Sequence, residues 1–267
     1  MLEDPKIMTS PAAFSLKGKR ALIAGASRGI GLAIAKAYAA CGADTVLAAR
    51  TQTALETEAA ALRLQGHLAS TLILDMENNV SIDAAAASGE WDILVNVSGT
   101  NVRKNFEKYT EAEYERIFQT NLHGLVRLTQ KVGEKMLARG KGGSIIHIGS
   151  LTSLQGLPYV TIYGMTKAAL AGLTRTLAAE WGAHNITVNC IAPGFIITDL
   201  NRKMWEPDYM KTWLDSTQSL PRTGTPEDIA PLAVFLGAPA AAYVTGQVIA
   251  VDGGSSSTKI WPFTPAS

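Results

Sequence analysis

Tyr163 and Lys167 stand four residues apart, and Ser150 lies upstream in the run Gly149-Ser150-Leu151-Thr152-Ser153. A phenol, an ammonium and a hydroxyl are the groups needed to hold a carbonyl oxygen and hand it a proton. Leu170, Leu173 and Leu177 follow at helical intervals, so the segment reads as a helix with Tyr163 and Lys167 as i,i+4 neighbours on one face. A phenol of ordinary pKa about 10 is a poor acid/base at neutral pH. Bringing it toward 7 takes about three units, or roughly 4 kcal/mol of preferential phenolate stabilisation. An adjacent ammonium supplies part of that. The chemistry expected is interconversion of an alcohol and a carbonyl compound. A lone Tyr-x-x-x-Lys also fits a half-buried helix-start aromatic beside a solvated charge, so the pair needs support from the rest of the chain.

The elements that would position these groups begin with a glycine turn. The apolar run Arg20 to Ala24 leads into Gly25-Ala26-Ser27-Arg28-Gly29-Ile30-Gly31, and Leu32, Ile34, Ala35, Tyr38 and Ala39 continue in a helical pattern. This is strand, turn, helix. Gly25 suits the tight turn, Gly29 close approach of a pyrophosphate to backbone N–H groups, and Gly31 close packing of helix on sheet. The spacing is G-x-x-x-G-x-G rather than G-x-G-x-x-G. An oxidised nicotinamide ring would add the second positive charge that the phenol requires.

Further apolar runs, Thr45 to Ala48, Thr71 to Leu74, Ile93 to Val97, Ser144 to Ile148, Thr187 to Ile191 and Gln247 to Val251, alternate with helical stretches. Alternation of this kind predicts an α/β fold, a Rossmann-like doubly wound parallel sheet of about seven strands in a single domain, with functional residues past the carboxyl ends of the strands. With 267 residues, 47% of them hydrophobic, one sizeable core can be buried. Residues 1–13 and 259–267 read as terminal arms, the last with Ile260, Trp261 and Phe263 available for docking. A net charge of +1 gives no sign of a nucleic-acid partner, and no apolar run is long enough to span a membrane. The first residues show no signal-peptide core, so a cytoplasmic protein is expected. Cys41 and Cys190 read as two reduced, packed thiols, and no metal site is expected.

From Leu16 to about Ser255 the chain resembles the short-chain dehydrogenase/reductase family. The glycine turn, Asp75 after the third strand, Asn96-Val97-Ser98-Gly99 after the fourth, then Asn121, Ser150, Tyr163, Lys167, Pro193-Gly194 and Thr198 occur in the family's order. The resemblance implies Tyr163 as general acid/base, Ser150 bonded to the substrate oxygen, Lys167 depressing the tyrosine pKa and holding the nicotinamide ribose, and Asn121 holding a water that links Lys167 to solvent. It assigns a cofactor surface to Gly25, Ser27, Arg28, Gly29, Ile30, Gly31, Arg50, Asp75, Met76, Asn96, Ser98, Gly99, Tyr163, Lys167, Pro193, Gly194, Ile196 and Thr198, with Asp75 on the adenine amino group. It also implies a homotetramer paired through the helix from Tyr114 to Met136 and the helix after Tyr163. Two departures stand out: Ala24 replaces the usual Thr, and Asn-Val-Ser-Gly the usual Asn-Asn-Ala-Gly.

Ala49 occupies the place that carries an acidic ribose ligand in NAD-preferring members, and Asp44 is about 16 Å away at roughly 3.3 Å per residue. Arg28 and Arg50 are placed instead to bracket a 2′-phosphate, which makes NADP(H) the expected cofactor. For substrate, residues 194–222 read as a lid. The stretches Thr100 to Lys104 and Thr198 to Asn201 resemble the gluconate 5-dehydrogenase and sugar-acid branch, which suggests Arg103, Gln155, Tyr159 and Asn201 as substrate contacts. A surface role for Arg103 remains open at this level. So do a 3-ketoacyl thioester or cyclic ketone as substrate, and a non-catalytic NADP-binding regulator. His147, inside an apolar strand, reads as a packed, hydrogen-bonded histidine, and Asn189 as a backbone brace.

Overall fold

The structure is a computed structural model that describes residues 11–199 and 201–260. Its strands are β1 (Arg20–Ala24), β2 (Asp44–Ala49), β3 (Ala69–Ile73), β4 (Ile93–Asn96), β5 (Gly143–Ile148), β6 (Ile186–Pro193) and β7 (Val248–Val251). In the central strands β1, β2 and β4 the inner stretches are continuous apolar runs rather than alternating ones, because both faces of the sheet are covered there. All pairings are parallel, in the order β3-β2-β1-β4-β5-β6-β7. The direction of winding reverses between β1 and β4. A crevice therefore opens above their carboxyl ends, where such sheets bind ligands.

The helices are α1 (Gly29–Ala40), α2 (Gln52–Leu64), α3 (Asn79–Ala87), α4 (Glu111–Phe118), α5 (Gly124–Arg139), α6 (Thr161–Trp181), α7 (Asp208–Thr217) and α8 (Pro226–Gly237). Local sequence sets their ends. Thr110 and Glu113 form a capping box at the start of α4, Asn78 accepts from Val80 N and Ser81 N at the start of α3, and Gly140 ends α5 at φ 65°. On one face α1, α2 and α8 pack Ile34, Tyr38, Leu55 and Ile229 onto Ile23 and Leu47. On the other, α3, α5 and α6 pack Ile82, Leu128, Val132 and Leu170 onto Leu22 and Leu94. Alternate residues of β1 thus serve opposite layers, which fixes the strand's register and the height at which its glycine turn emerges.

The expected strand positions hold, with no end moved by more than two residues. Asp44 pairs with Arg20 at the amino end of β2, so its carboxylate is far from the crevice. The described part of the expected N-terminal arm is docked onto the domain. Pro11–Phe14 form a helical turn, Ala13 is buried, and the Phe14 ring lies 6.2 Å from that of Phe235. Trp261 and Phe263 lie outside the described residues.

Gly31 carries the tightest constraint, since a Cβ there would overlap the Gly25 carbonyl. Gly31→Ala must push α1 away from the turn. The expected cost is about 1–3 kcal/mol, together with loss of dinucleotide binding. Urea unfolding and a binding titration followed by nicotinamide fluorescence measure the two.

Candidate active site and cofactor cleft

The turn after β1 is held by backbone alone. Gly25 N and Ala26 N donate to the Ala48 carbonyl at 2.7 and 3.1 Å, and the Ala24 carbonyl accepts from Val97 N and Ser98 N at 2.9 Å each. These bonds tie the turn to β2 and β4 without the hydroxyl that Ala24 lacks. Gly25, at φ 102°, lies so close to β4's end that a Cβ would come within 2.7 Å of Ser98 N. Gly29, at φ 55°, opens onto the cleft, where among the described residues its one neighbour within 4 Å of a Cβ position is Thr198 at 3.6 Å. Backbone N–H groups at the start of α1 therefore face an uncluttered space at the positive end of that helix.

The expected cofactor residues divide by which part of them can reach this space. Ser27, Arg28, Asp75, Ser98 and Gly99 line it with accessible atoms. Ile30 packs toward the core and Met76 is buried, so each offers backbone. Gly194 is pressed against Asp252, and Ile196 is buried beside it. Asn96 likewise offers backbone, because its side chain points into the core, with Nδ2 2.9 Å from Thr129 Oγ1 and 3.2 Å from His147 Nδ1. His147 is a packed histidine as read, and burial pulls its pKa down to about 4, keeping it neutral. Arg50 is exposed and meets a residue the sequence did not single out, Glu77, whose Oε1 lies 4.0 Å from its Nη1.

Deeper in the crevice the proton-handling groups converge. Between α4 and α5 the backbone widens into a π-type turn, Gln119–His123, that aims Asn121 inward. The Asn121 amide is bonded to both backbone groups of Thr100, at 2.7 and 2.8 Å, and so fixes the start of the loop after β4. No sequence signal announced that bond. Gly99 brings the same loop within reach, since a Cβ there would lie 3.5 Å from Asn121 Oδ1 and 3.7 Å from Lys167 Nζ. Lys167 is 3% exposed, and its ammonium donates to the Ile148 carbonyl at 2.7 Å. Ser153 Oγ donates to the Lys167 carbonyl at 2.9 Å and accepts from Ser150 N, clamping α6 to the end of β5. Ser150's hydroxyl meets the Tyr163 phenol.

Electrostatics differ from the expectation in one respect. Lys167 Nζ sits 5.6 Å from the centre of the Tyr163 ring, over its face. Burial raises the Tyr163 pKa above its ordinary value, opposed by the Ser150 hydrogen bond and by the charge of Arg103. Lys167 itself is pushed down to about 8 by desolvation. A lysine that is costly to keep charged, facing the ring rather than the hydroxyl, does not depress the phenol in the protein alone.

Arg103 lies on the exposed loop after β4 yet within electrostatic reach of the phenol. Of the two residues expected near it, Gln155 is half-buried and Tyr159 exposed. Tyr159 holds φ 66°, a strained value for a bulky residue, and its carbonyl accepts from Lys104 N at 3.0 Å, which ties the two rim loops together. Asn201 is engaged in a local turn. Its amide accepts from Thr198 N at 2.7 Å and donates to the Ile196 carbonyl at 2.8 Å, so it braces the entry to residues 202–217. Phe195 packs edge-on against Trp205 and Trp213, and Gln218, buried, donates to the Leu220 and Arg222 carbonyls. Asn189 braces backbone as read, through Val244 and Gln247. Cys41 and Cys190 are free thiols.

The buried Lys167 has a measurable signature. Below pH about 8 both the folded and the unfolded state carry its proton, and the cost of burying the charge is present in full. Between about 8 and the ordinary lysine value the folded state sheds the proton first, so the unfolding free energy rises with pH. Relative to Lys167→Met, the wild type is expected to gain roughly 3 kcal/mol across that window. Urea titrations of both proteins at several pH values measure the difference.

Comparison with known proteins agrees with this arrangement. A family model described as enoyl-(acyl carrier protein) reductase matches residues 25–256. The chain is 42% identical to 2-dehydro-3-deoxy-D-gluconate 5-dehydrogenase of Bacillus subtilis, covering 91% of this chain and 96% of the relative. It is 35% identical to gluconate 5-dehydrogenase of Gluconobacter oxydans, over 92% and 98%. In structure it is similar to a gluconate 5-dehydrogenase from Burkholderia cenocepacia crystallised with NADP and tartrate, with TM-score 0.88, 33% identity and 92% and 98% coverage. Glycine turn, parallel sheet and the convergence of Ser150, Tyr163 and Lys167 thus belong together: the chain is an oxidoreductase of the short-chain dehydrogenase/reductase family.

Proposed function

We propose that the protein interconverts a secondary alcohol and a ketone on a sugar acid or polyol of the gluconate/5-ketogluconate kind, using NADP(H). The observation that carries the substrate class is Arg103. Its charge bears on the Tyr163 phenol, and among the described residues no carboxylate lies within 4.0 Å of it. A free guanidinium at the rim of a carbonyl site suits a substrate carboxylate, which it grips through two parallel hydrogen bonds. The Burkholderia relative described with tartrate, a hydroxy acid, supports the same reading. NADP(H) is supported by Arg28 and Arg50 at the adenosine end, by the backbone cradle that a Cβ at Gly31 would fill, and by relatives crystallised with NADP.

When bound, the cofactor supplies or accepts the hydride, and its oxidised ring adds positive charge beside the phenol. The chain's own groups do the rest. Ser150 donates to the carbonyl oxygen, and Tyr163 Oη delivers the proton to that oxygen or takes it back. Lys167 neighbours the phenol, and the turn carrying Asn121 opens the path by which the proton is replaced. Because burial keeps Tyr163 protonated, the reduction runs at neutral pH, whereas alcohol oxidation needs the phenolate and speeds up as pH rises. The face carrying Leu122, Val126, Ala169 and Leu173 between α5 and α6 is apolar and open, which supports assembly as a homotetramer.

A screen of ketones with NADPH decides the matter. 5-Ketogluconate or a related acid is expected to turn over. Tyr163→Phe is expected to lose turnover while keeping NADPH binding, and Arg103→Ala to raise KM for the acid about 10- to 100-fold with little change for neutral ketones. Turnover only of 3-ketoacyl thioesters or cyclic ketones would replace the sugar-acid reading. An unaltered phenotype for Tyr163→Phe would leave a cofactor-binding regulator.

A further inference from the structure

Glu77 shares the adenosine end of the cleft with Arg50. β2 and β3 are paired with Ala49 opposite Ile73, so the chain leaves both strands side by side. Arg50 follows β2, and Glu77 follows β3 two residues after Asp75. Oε1 of Glu77 lies 4.0 Å from Arg50 Nη1 and accepts from Thr120 Oγ1 at 2.9 Å, while Glu77 N donates to Asp75 Oδ1 at 3.0 Å. The Glu77 side chain is 40% exposed, but the bonds from Thr120 and to Asp75 bias its carboxylate toward the Arg50 side of the cleft. Arg28 has no carboxylate within 4.0 Å among the described residues. Among the described residues one of the two cations expected on a 2′-phosphate therefore has no carboxylate beside it, and the other already has one 4.0 Å away.

We infer that Glu77 determines cofactor selectivity, acting as an anchored counter-charge on Arg50 that holds down affinity for a 2′-phosphate and keeps the preference for NADP(H) over NAD(H) graded. The inference rests on the NADP(H) reading of the proposed function. Two effects compete. Pairing with Glu77 aims Arg50 at the cleft, which would favour phosphate. That benefit is small, because the Arg50 side chain is 69% exposed and a 4.0 Å exposed pair restrains it little. Against it, a phosphate of nearly two negative charges must share one guanidinium with a carboxylate a few ångströms away, and that repulsion scales with the larger charge product. Repulsion wins, by an expected three- to ten-fold in NADPH affinity at low salt, shrinking as ionic strength screens it.

The test needs no substrate. NADPH and NADH dissociation constants are measured by nicotinamide fluorescence for the wild type, Glu77→Gln and Arg50→Ala, at low and high salt. The glutamine keeps an oxygen for Thr120 and removes only the charge, and an unchanged melting temperature without cofactor confirms that the fold is intact. Glu77→Gln is expected to lower the NADPH constant roughly three- to ten-fold at low salt, with less effect at high salt, and to leave NADH within about two-fold. Arg50→Ala is expected to weaken NADPH and spare NADH. If Arg50→Ala spares NADPH, the phosphate role of Arg50 falls and this inference with it. If Arg50→Ala behaves as expected but Glu77→Gln leaves NADPH unchanged, weakens it, or alters NADPH and NADH alike, the inference alone is overturned.

Discussion

The ammonium of Lys167 is buried under the active-site floor and held by the Ile148 carbonyl, and the geometry of the site hangs on that one bond. It joins the first turns of α6 to the last residue of β5, so the phenol one helical turn away is placed relative to the sheet and not merely to its own helix. Ser153 repeats the tie from the other side by bonding the Lys167 carbonyl. Burying a cation costs free energy, visible in the fall of its pKa to about 8. The fold offsets this with a carbonyl acceptor and with the packed aliphatic stem of the lysine itself.

Around that anchor three strand ends meet at one height. Parallel register sets β1, β4 and β5 in step, with Ala24 beside Asn96 and Asn96 beside His147. The glycine turn, the Gly99 loop and the Ser150 turn then emerge together above them. Asn121 fastens the Gly99 loop to the widened turn between α4 and α5, and the bond from Lys104 to Tyr159 fastens its far end. The rim is in this way as fixed as the floor, and Arg103 rides on a loop secured at both ends.

Much of this was legible in the sequence, for physical reasons that also mark where legibility stopped. The strands were readable because a sheet covered on both faces demands unbroken apolar runs, and the glycines because only glycine fits where Gly25 crosses Ser98 and Gly31 meets Gly25. Tyr163, Lys167 and Ser150 followed from chemistry and spacing. Side-chain direction at strand ends was not readable: Asn96 sits at the expected place but turns into the core toward Thr129 and His147. Asn201 was likewise read by residue type, whereas its amide closes a local turn. Glu77 and the Thr100 bonds depend on contacts between distant segments that no local pattern encodes. The i,i+4 spacing of Tyr163 and Lys167 put them on one face without revealing that the ammonium would bond β5 and stand over the ring.

The chain alone holds Tyr163 protonated, and bound oxidised cofactor is expected to bring it toward its working range. The most direct measurement is a titration of the phenol by NMR on protein carrying carbon-13 tyrosine, with Tyr163→Phe used to assign the signal, before and after adding NADP⁺. Tyr163 is expected to titrate above the ordinary tyrosine value in the free protein and to shift down by about a unit or more on binding. A signal already below the ordinary value in the free protein, or one indifferent to NADP⁺, would contradict that expectation.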